Sequence, residues 1–203
     1  MEKQYDKYLK EVERYYSKNY KKYHTIHHIK RLFELYFTHR DEFLAEFPSL
    51  NEEALLEAIA WHDSVYLIGV ELNETFSAQL YIDYCLKKEM DPYDRVCEAI
   101  LSTKIGTKNF PDDAQKVLHD LDWSSFAGYY HKFVDDSEKI LFEATCDGIY
   151  SVKEVKENQL KFYELIFNEN IYVTKTFSSS NEVAKKNLEL RIKQLKKELE
   201  EMK

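Results

Sequence analysis

Apolar side chains recur every three or four residues along most of this chain, the spacing of one face of a helix. Residues 2–16 place Tyr5, Tyr8, Leu9, Val12, Tyr15 and Tyr16 at that interval and predict a first amphipathic helix. A polar and aromatic stretch, residues 17–24, reads as a loop. Thr25 then stands where a cap belongs for a second helix carrying His28, Leu32, Leu35, Tyr36 and His39. Pro48 and Ser49 break the pattern, and Ser49 with Glu52 has the spacing of a capping box for a third helix. That helix organises the chain. Its stripe runs Leu55, Ala58, Ile59, His62, Val65 and Tyr66, so a histidine and its neighbour Asp63 fall where apolar residues are called for. A buried charge must be paired or bound to a metal.

Further along, residues 67–73 read as a loop, with Asn73 as cap of a helix reaching about Leu86. Asp91-Pro92 signals another start, because proline suits the first helical turn. That helix continues through Val96, Ile100, Thr103 and Lys104. Residues 105–113 form a loop, and a short helix follows with Ala114, Val117, Leu118 and Leu121, ending at Asp120-Leu121-Asp122. Helices are expected from Tyr129 to about Cys146 and over 152–167, followed by an extended piece at Ile171-Tyr172-Val173. Ser179 and Glu182 again have capping-box spacing. The last helix sets Leu188, Ile192, Leu195, Leu199 and Met202 in steps of four and three. Such a stripe suits either docking on the domain's own core or a coiled-coil seam, and two heptads are few for the latter.

Composition agrees with this pattern. Glycine and proline number only 4 and 3 in 203 residues, which favours helices with short connections over a sandwich or barrel. The chain therefore reads as all-α, a single domain over 1–203 with a core in about 20–150 and C-terminal helices in 152–203 packing on it. The 16 tyrosines and 12 phenylalanines are expected mostly at helix contacts. A net charge of −8 argues against nucleic acid as partner but leaves room for a small phosphorylated substrate held by one or two lysines. Cys85, Cys97 and Cys146 are odd in number and show no metal-binding spacing, so free thiols are expected. No apolar run reaches membrane-spanning length and the N-terminal residues are charged, which makes a cytoplasmic location the expectation.

Three places put metal-binding residue types on otherwise apolar faces: His28, the His62-Asp63 pair, and Asp120 or Asp122. Two imidazoles with two carboxylates suit one borderline or hard divalent ion, such as Mn, Mg, Fe, Co, Ni or Zn. His…His-Asp…Asp spread over an all-α chain resembles the HD superfamily of metal-dependent phosphohydrolases, and within it a group of small HD phosphohydrolases. The matching pieces run nearly the length of the chain: Tyr23-His24-Thr25-x-x-His28-Ile29, Trp61-His62-Asp63-x-x-Tyr66, Asn73-Glu74-x-x-Ser77-Ala78, Ile100-x-x-Thr103-Lys104, Asp120-Leu121-Asp122 and Glu182-x-Ala184-x-x-Asn187-Leu188.

This resemblance implies an HD-like helical bundle in which His28, His62, Asp63 and Asp122 hold the ion, with Asp120 as the alternative to Asp122. It implies hydrolysis of a small phosphorylated metabolite, such as a nucleotide, through a metal-activated water, with Asp63 and Glu74 as catalytic residues. Glu74 and Ser77 share one helix face and can point into one cleft, where Glu74 would orient the water or carry a proton. Lys104, Ser77, His24 and Lys21 are the expected substrate contacts, although Lys21 also suits a solvated surface position. His27 is expected to be exposed, and His39, His119 and His131 to lie outside the metal site.

The chain departs from the group at arginine positions. Lys21 stands ahead of the Tyr-His pair, Leu141-Phe142-Glu143-Ala144 replaces an Arg-x-Glu-Tyr segment, and a later Gly-Arg pair is missing. Arginine and lysine are not equivalent where phosphate is gripped by two parallel hydrogen bonds. A second reading is therefore a catalytically silent binding or regulatory module that keeps the metal. A third, a di-metal oxygenase of the HD type, needs more histidines between Asp63 and Asp122 than His119 alone. A homodimer is compatible with the acidic surface and the C-terminal stripe.

Overall fold

A computed structural model describes residues 4–67 and 69–202; residues 2 and 3 of the expected first helix and Ile68 of the loop after Tyr66 lie outside them. Among the described residues the regular structure is helical, without a strand. The helices are α1 (Asp6–Tyr16), α2 (Ile26–Glu46), α3 (Glu52–Trp61), α4 (Asn73–Lys87), α5 (Asp94–Ser102), α6 (Asp113–Asp122), α7 (Tyr130–Thr145), α8 (Val152–Phe167), α9 (Lys175–Ser178) and α10 (Asn181–Glu201), with a 3-10 turn at Trp123–Ala127. They fall into two compact units, Met1–Asp122 and Trp123–Lys203.

In the first unit α3 is the hub. From Ala54 to Trp61 every residue but Glu57 is buried, so this helix is apolar nearly all round and needs neighbours on every side. It has them: α1, α2, α4, α5 and α6 all pack against it. Ile29, Leu32, Phe33 and Tyr36 of α2, Val96 and Ile100 of α5, and Val117, Leu118 and Leu121 of α6 fill the core. Tyr5 stacks on Phe33 with ring centres 4.9 Å apart. Tyr16 donates a hydrogen bond of 2.8 Å to the Ala60 carbonyl near the end of α3. Burial pushes the Tyr16 phenol well above its ordinary pKa, so it remains a donor.

The second unit is built on α10, which packs against α7, α8 and the 3-10 turn. Its stripe docks here rather than projecting as a seam: Leu188 and Leu195 are fully buried, whereas Met202 at the end is 40% exposed. Amid the stripe lies Arg191, completely buried, which the apolar spacing does not anticipate. Its guanidinium donates to Glu138, and to Glu198 and Ser137 at 3.4 Å each. Asn187 on the same helix donates to the carbonyls of Phe126 and Gly128, both at 2.8 Å.

Helix ends differ most from expectation. Asn51, not Ser49, caps α3 by accepting from the Ala54 N–H. Ser180 rather than Ser179 precedes α10 and makes no side-chain cap, while the capping box the chain does form is Ser151 with Glu154 on α8. Helix α5 begins at Asp94, after the Asp91-Pro92 signal. Asn73 is the first residue of α4 and uses its amide elsewhere, clasping the preceding loop through the Leu67 N–H (2.8 Å) and the Leu67 and Val70 carbonyls (2.9 and 3.1 Å). Gly69, inside that clasp, has φ +73°, which glycine adopts without steric cost. Ile171-Tyr172-Val173 is not assigned to a strand; the Ile171 and Tyr172 N–H groups donate to the Asn181 side chain.

Replacing Asn187 by alanine removes both donors from buried carbonyls. The expected cost is about 2 kcal/mol, read as a lower urea midpoint with an unchanged denaturant slope.

Candidate metal centre

His28 lies in the first turn of α2, His62 caps the C-terminal end of α3 with Asp63 directly after it, and Asp122 closes α6. Three helix ends of the first unit thus converge. One ligand atom from each of these four side chains lies within 4.8 Å of all the others, and the group can hold a metal ion. Both imidazoles are buried, and the two carboxylates keep only 16% and 21% of their side-chain surface. Asp120 is fully buried but lies outside this group of four, so the two acids that end α6 are separated by their facing.

The distances fit a shared ion better than direct pairing. Each histidine Nε2 sits near both acids: His28 at 3.5 Å from Asp63 and 3.2 Å from Asp122, His62 at 3.1 Å from Asp63 and 3.6 Å from Asp122. Yet neither Nε2 makes a hydrogen bond, because the ring N–H directions miss the oxygens. Four ligand atoms gathered this closely, with both Nε2 atoms making no hydrogen bond, suit a shared ion. The other nitrogen of His62 is 3.0 Å from the Ile59 carbonyl. A carbonyl only accepts, so Nδ1 carries the proton there and Nε2 is left as the metal-binding lone pair of the neutral ring.

Charge follows from this crowding. Burial pushes His28 below the ordinary histidine range, since a desolvated imidazolium is disfavoured. Burial acts the same way on His62, but the Asp63 and Asp122 carboxylates beside it prevail and raise it well above that range. Burial would raise both acids, and neighbouring imidazoles outweigh it: His62 and His24 hold Asp63 down, His28 and His62 hold Asp122 down. Without a metal, His62 is the proton carrier of the group.

Around the ligands the structure sorts the other expected site residues. Lys21 is not a solvated surface lysine: it is 4% exposed, donates to the Asp63 carbonyl at 3.2 Å and lies over the Tyr16 ring. Ser77, expected at the substrate, is buried and committed to main chain, accepting from the Val65 N–H at 3.0 Å and donating to its carbonyl at 3.2 Å. It fixes the turn that follows Asp63. His24 is buried and stacks on Tyr66 with ring centres 3.4 Å apart. Glu74 is half-buried in the first turn of α4, and Lys104 is exposed beyond the end of α5. Trp61 is core, against Tyr84 at 4.9 Å. His27 is exposed, His39 meets Glu42, and His119 lies against Phe110. Arg31 was not anticipated: it donates to His28 Nδ1 at 3.3 Å and to the Tyr23 hydroxyl at 3.2 Å. Its position three residues after His28, on the same helix face, is the signal that could have found it.

Fold and site together define an all-α protein with a buried group of two histidines and two aspartates suited to a metal ion. Comparison with protein-family models, with curated proteins and with solved structures finds no match to this chain. The three cysteines are free, and no helix among the described residues is long and apolar enough to cross a membrane.

Metal and proton compete for His62. Its pKa is raised, so below that pKa metal uptake must displace a proton, and affinity is expected to fall as the medium becomes more acidic. Titration with Mn or Zn at several pH values below the raised His62 pKa is expected to show about a tenfold loss of affinity per pH unit, the slope of one displaced proton. Ser77→Ala frees the turn after Asp63 and is expected to weaken metal binding by about tenfold, with circular dichroism unchanged.

Proposed function

We propose that the chain is a metal-dependent phosphohydrolase acting on a small phosphorylated metabolite, with nucleotides as the first class to test. The observation that carries this reading is the convergence of His28, His62, Asp63 and Asp122 from three helix ends, with both Nε2 atoms buried and making no hydrogen bond. Two imidazoles and two carboxylates match the borderline-to-hard divalent ions used in hydrolysis. Such an ion, when bound, supplies Lewis acidity toward a water and a phosphoryl oxygen.

The chain's own residues do the rest. Ile59 holds His62 in the tautomer that presents Nε2, and Lys21 and Ser77 secure the main chain at Asp63 and two residues after it. The two carboxylates offset a divalent charge, leaving the ligand set close to neutral. Glu74, half-buried at the start of α4, is the residue assigned to orient water or carry a proton. His24, braced by Tyr66, lies close enough to Asp63 to help keep that carboxylate ionised. The support for phosphate chemistry beyond the metal group is the resemblance of the motifs to HD phosphohydrolases.

A second reading, a metal-holding binding module without turnover, draws on Lys21. Its ammonium is turned to the Asp63 carbonyl, a structural task rather than a grip on substrate. Elemental analysis of protein purified without chelator, paired with a screen of phosphomonoesters, diphosphates and cyclic diesters, separates the two. Stoichiometric metal with hydrolysis that a chelator stops and Asp63→Ala lowers by about a thousandfold or more supports the enzyme. Stoichiometric metal with no turnover of any ester supports the binding module. Hydrolysis untouched by Asp63→Ala sinks the assignment of the site.

A further inference from the structure

Helix α5 carries apolar side chains on a face that it does not bury. Val96, Ala99, Ile100 and Ser102 are its buried residues, packed among α3, α4 and α6, so its outer face is expected to be polar. Part of it is not. Tyr93, Cys97 and Leu101 stand four residues apart, which sets them in one row along the helix. Tyr93 belongs to that row although it precedes the helix, because its carbonyl accepts from the Val96 and Cys97 N–H groups at 3.0 and 3.3 Å. Tyr93 is 53% exposed, Leu101 44%, and Ile105, in the turn that follows, 65%. Single apolar side chains at a surface are ordinary, whereas a row of them is a mark of association.

Charge along the same helix indicates what covers the row. Asp94 and Glu98 are exposed on its first turns, and Lys104 is exposed just past its end. Arg95 does not offset those acids, since it reaches Asp112 at 3.7 Å. Asp94 and Lys104 are on the order of 15 Å apart along the axis, too far to pair within one chain. Acid at the start and base at the end suit the helix's own dipole. The same polarity also makes the helix complementary to a second copy of itself laid antiparallel, whereas a parallel copy would set like charges together. A two-fold axis between Cys97 and Leu101 places Cys97 against Leu101 of the second copy, Tyr93 near its Ile105 and Asp94 near its Lys104, each pair occurring twice.

We infer that this face of α5 is a homodimer interface, in which two copies pack antiparallel along the Tyr93-Cys97-Leu101 row and each Asp94 meets Lys104 of the other copy. The apolar row supplies the burial, and the charged pairs at its rim fix the direction. A partner of other sequence would have to reproduce both the row and the reversed charges, which α5 offers to itself. The interface uses residues of the first unit alone and draws nothing from the metal-site reading. Nor does it need the C-terminal stripe, which is docked within its own unit.

The test follows association of the full chain by sedimentation velocity over a range of concentrations, with circular dichroism to check that each variant keeps its helices. The wild type is expected to dimerise, and Leu101→Asp to weaken association by about thirtyfold or more, as a charge placed in an apolar row does. Asp94→Lys and Lys104→Glu each set like charges face to face twice and are expected to weaken it by about tenfold or more. Both residues are exposed, so neither change threatens the fold. An equimolar mixture of those two variants is expected to recover dimers, since one is then basic at both ends of the row and the other acidic at both. Carrying the two changes in one chain is expected to restore dimers as well. A wild type that stays monomeric at every concentration overturns the interface, and so does a dimer that Leu101→Asp leaves intact. Single variants that dissociate but do not combine when mixed overturn the antiparallel register.

Discussion

Asp63 and Asp122 place two carboxylates, each mostly withdrawn from water, within 4.8 Å of one another. Two like charges about 4 Å apart repel by about 4 kcal/mol at an effective dielectric constant of about 20. Little else in the first unit makes sense without the positive charge that such a pair demands. In the metal-free protein His62 supplies part of it, holding a proton far more firmly than an ordinary histidine. A divalent ion held by the group would supply all of it. The fold has to keep the two acids together against their repulsion, and main-chain anchors contribute to this beside the charge of His62. Lys21 holds the Asp63 carbonyl, Ser77 holds both polar groups of Val65, and Asp122 is fixed by being the last residue of a packed helix.

Those anchors depend on α3 in turn. A helix buried on nearly every side cannot shift without disturbing five neighbours, so its C-terminal end is a rigid platform for His62. The Tyr16 hydroxyl on Ala60 and the Ile59 carbonyl on His62 Nδ1 tie that end to α1 and to the ligand ring. The route from sequence to site is short here. Apolar residues on every face make a central helix, a central helix makes a fixed terminus, and a fixed terminus holds two adjacent polar residues where they could bind an ion.

Much of this was legible in the sequence because it depends on local spacing. The stripes that define α2, α3, α6, α8 and α10 are periodic, and His62-Asp63 announces itself by interrupting one of them. Helix caps were less legible: Ser49, Ser179 and Ser151 all stand three residues before a glutamate, yet only Ser151 forms the box. Which serine adopts the required backbone conformation is decided by how the loop before it packs, not by the four residues themselves. Apart from the four-residue group that the resemblance implied, long-range partners were not legible. Lys21 meets Asp63 across 42 residues and Arg191 meets Glu138 across 53, so neither lysine nor arginine carried a local sign of its burial. Ser77 is a related case. Its hydroxyl proton is given to the Val65 carbonyl and so is not offered to a substrate.

The two histidines, alike in the motif, are unlike in their surroundings, and the difference matters for how the centre works. His62 has its Nδ1 against a carbonyl, which can only accept, so its neutral form already presents Nε2 as a lone pair. His28 has its Nδ1 against a guanidinium, which can only donate, so its neutral form carries the proton on Nε2 and must change tautomer to serve as a ligand. One ring is therefore set in advance by the rigid end of α3, and the other answers to a side chain one turn further along its own helix. A motif records that both histidines are present. It does not record that one ring is set by a carbonyl and the other faces a guanidinium.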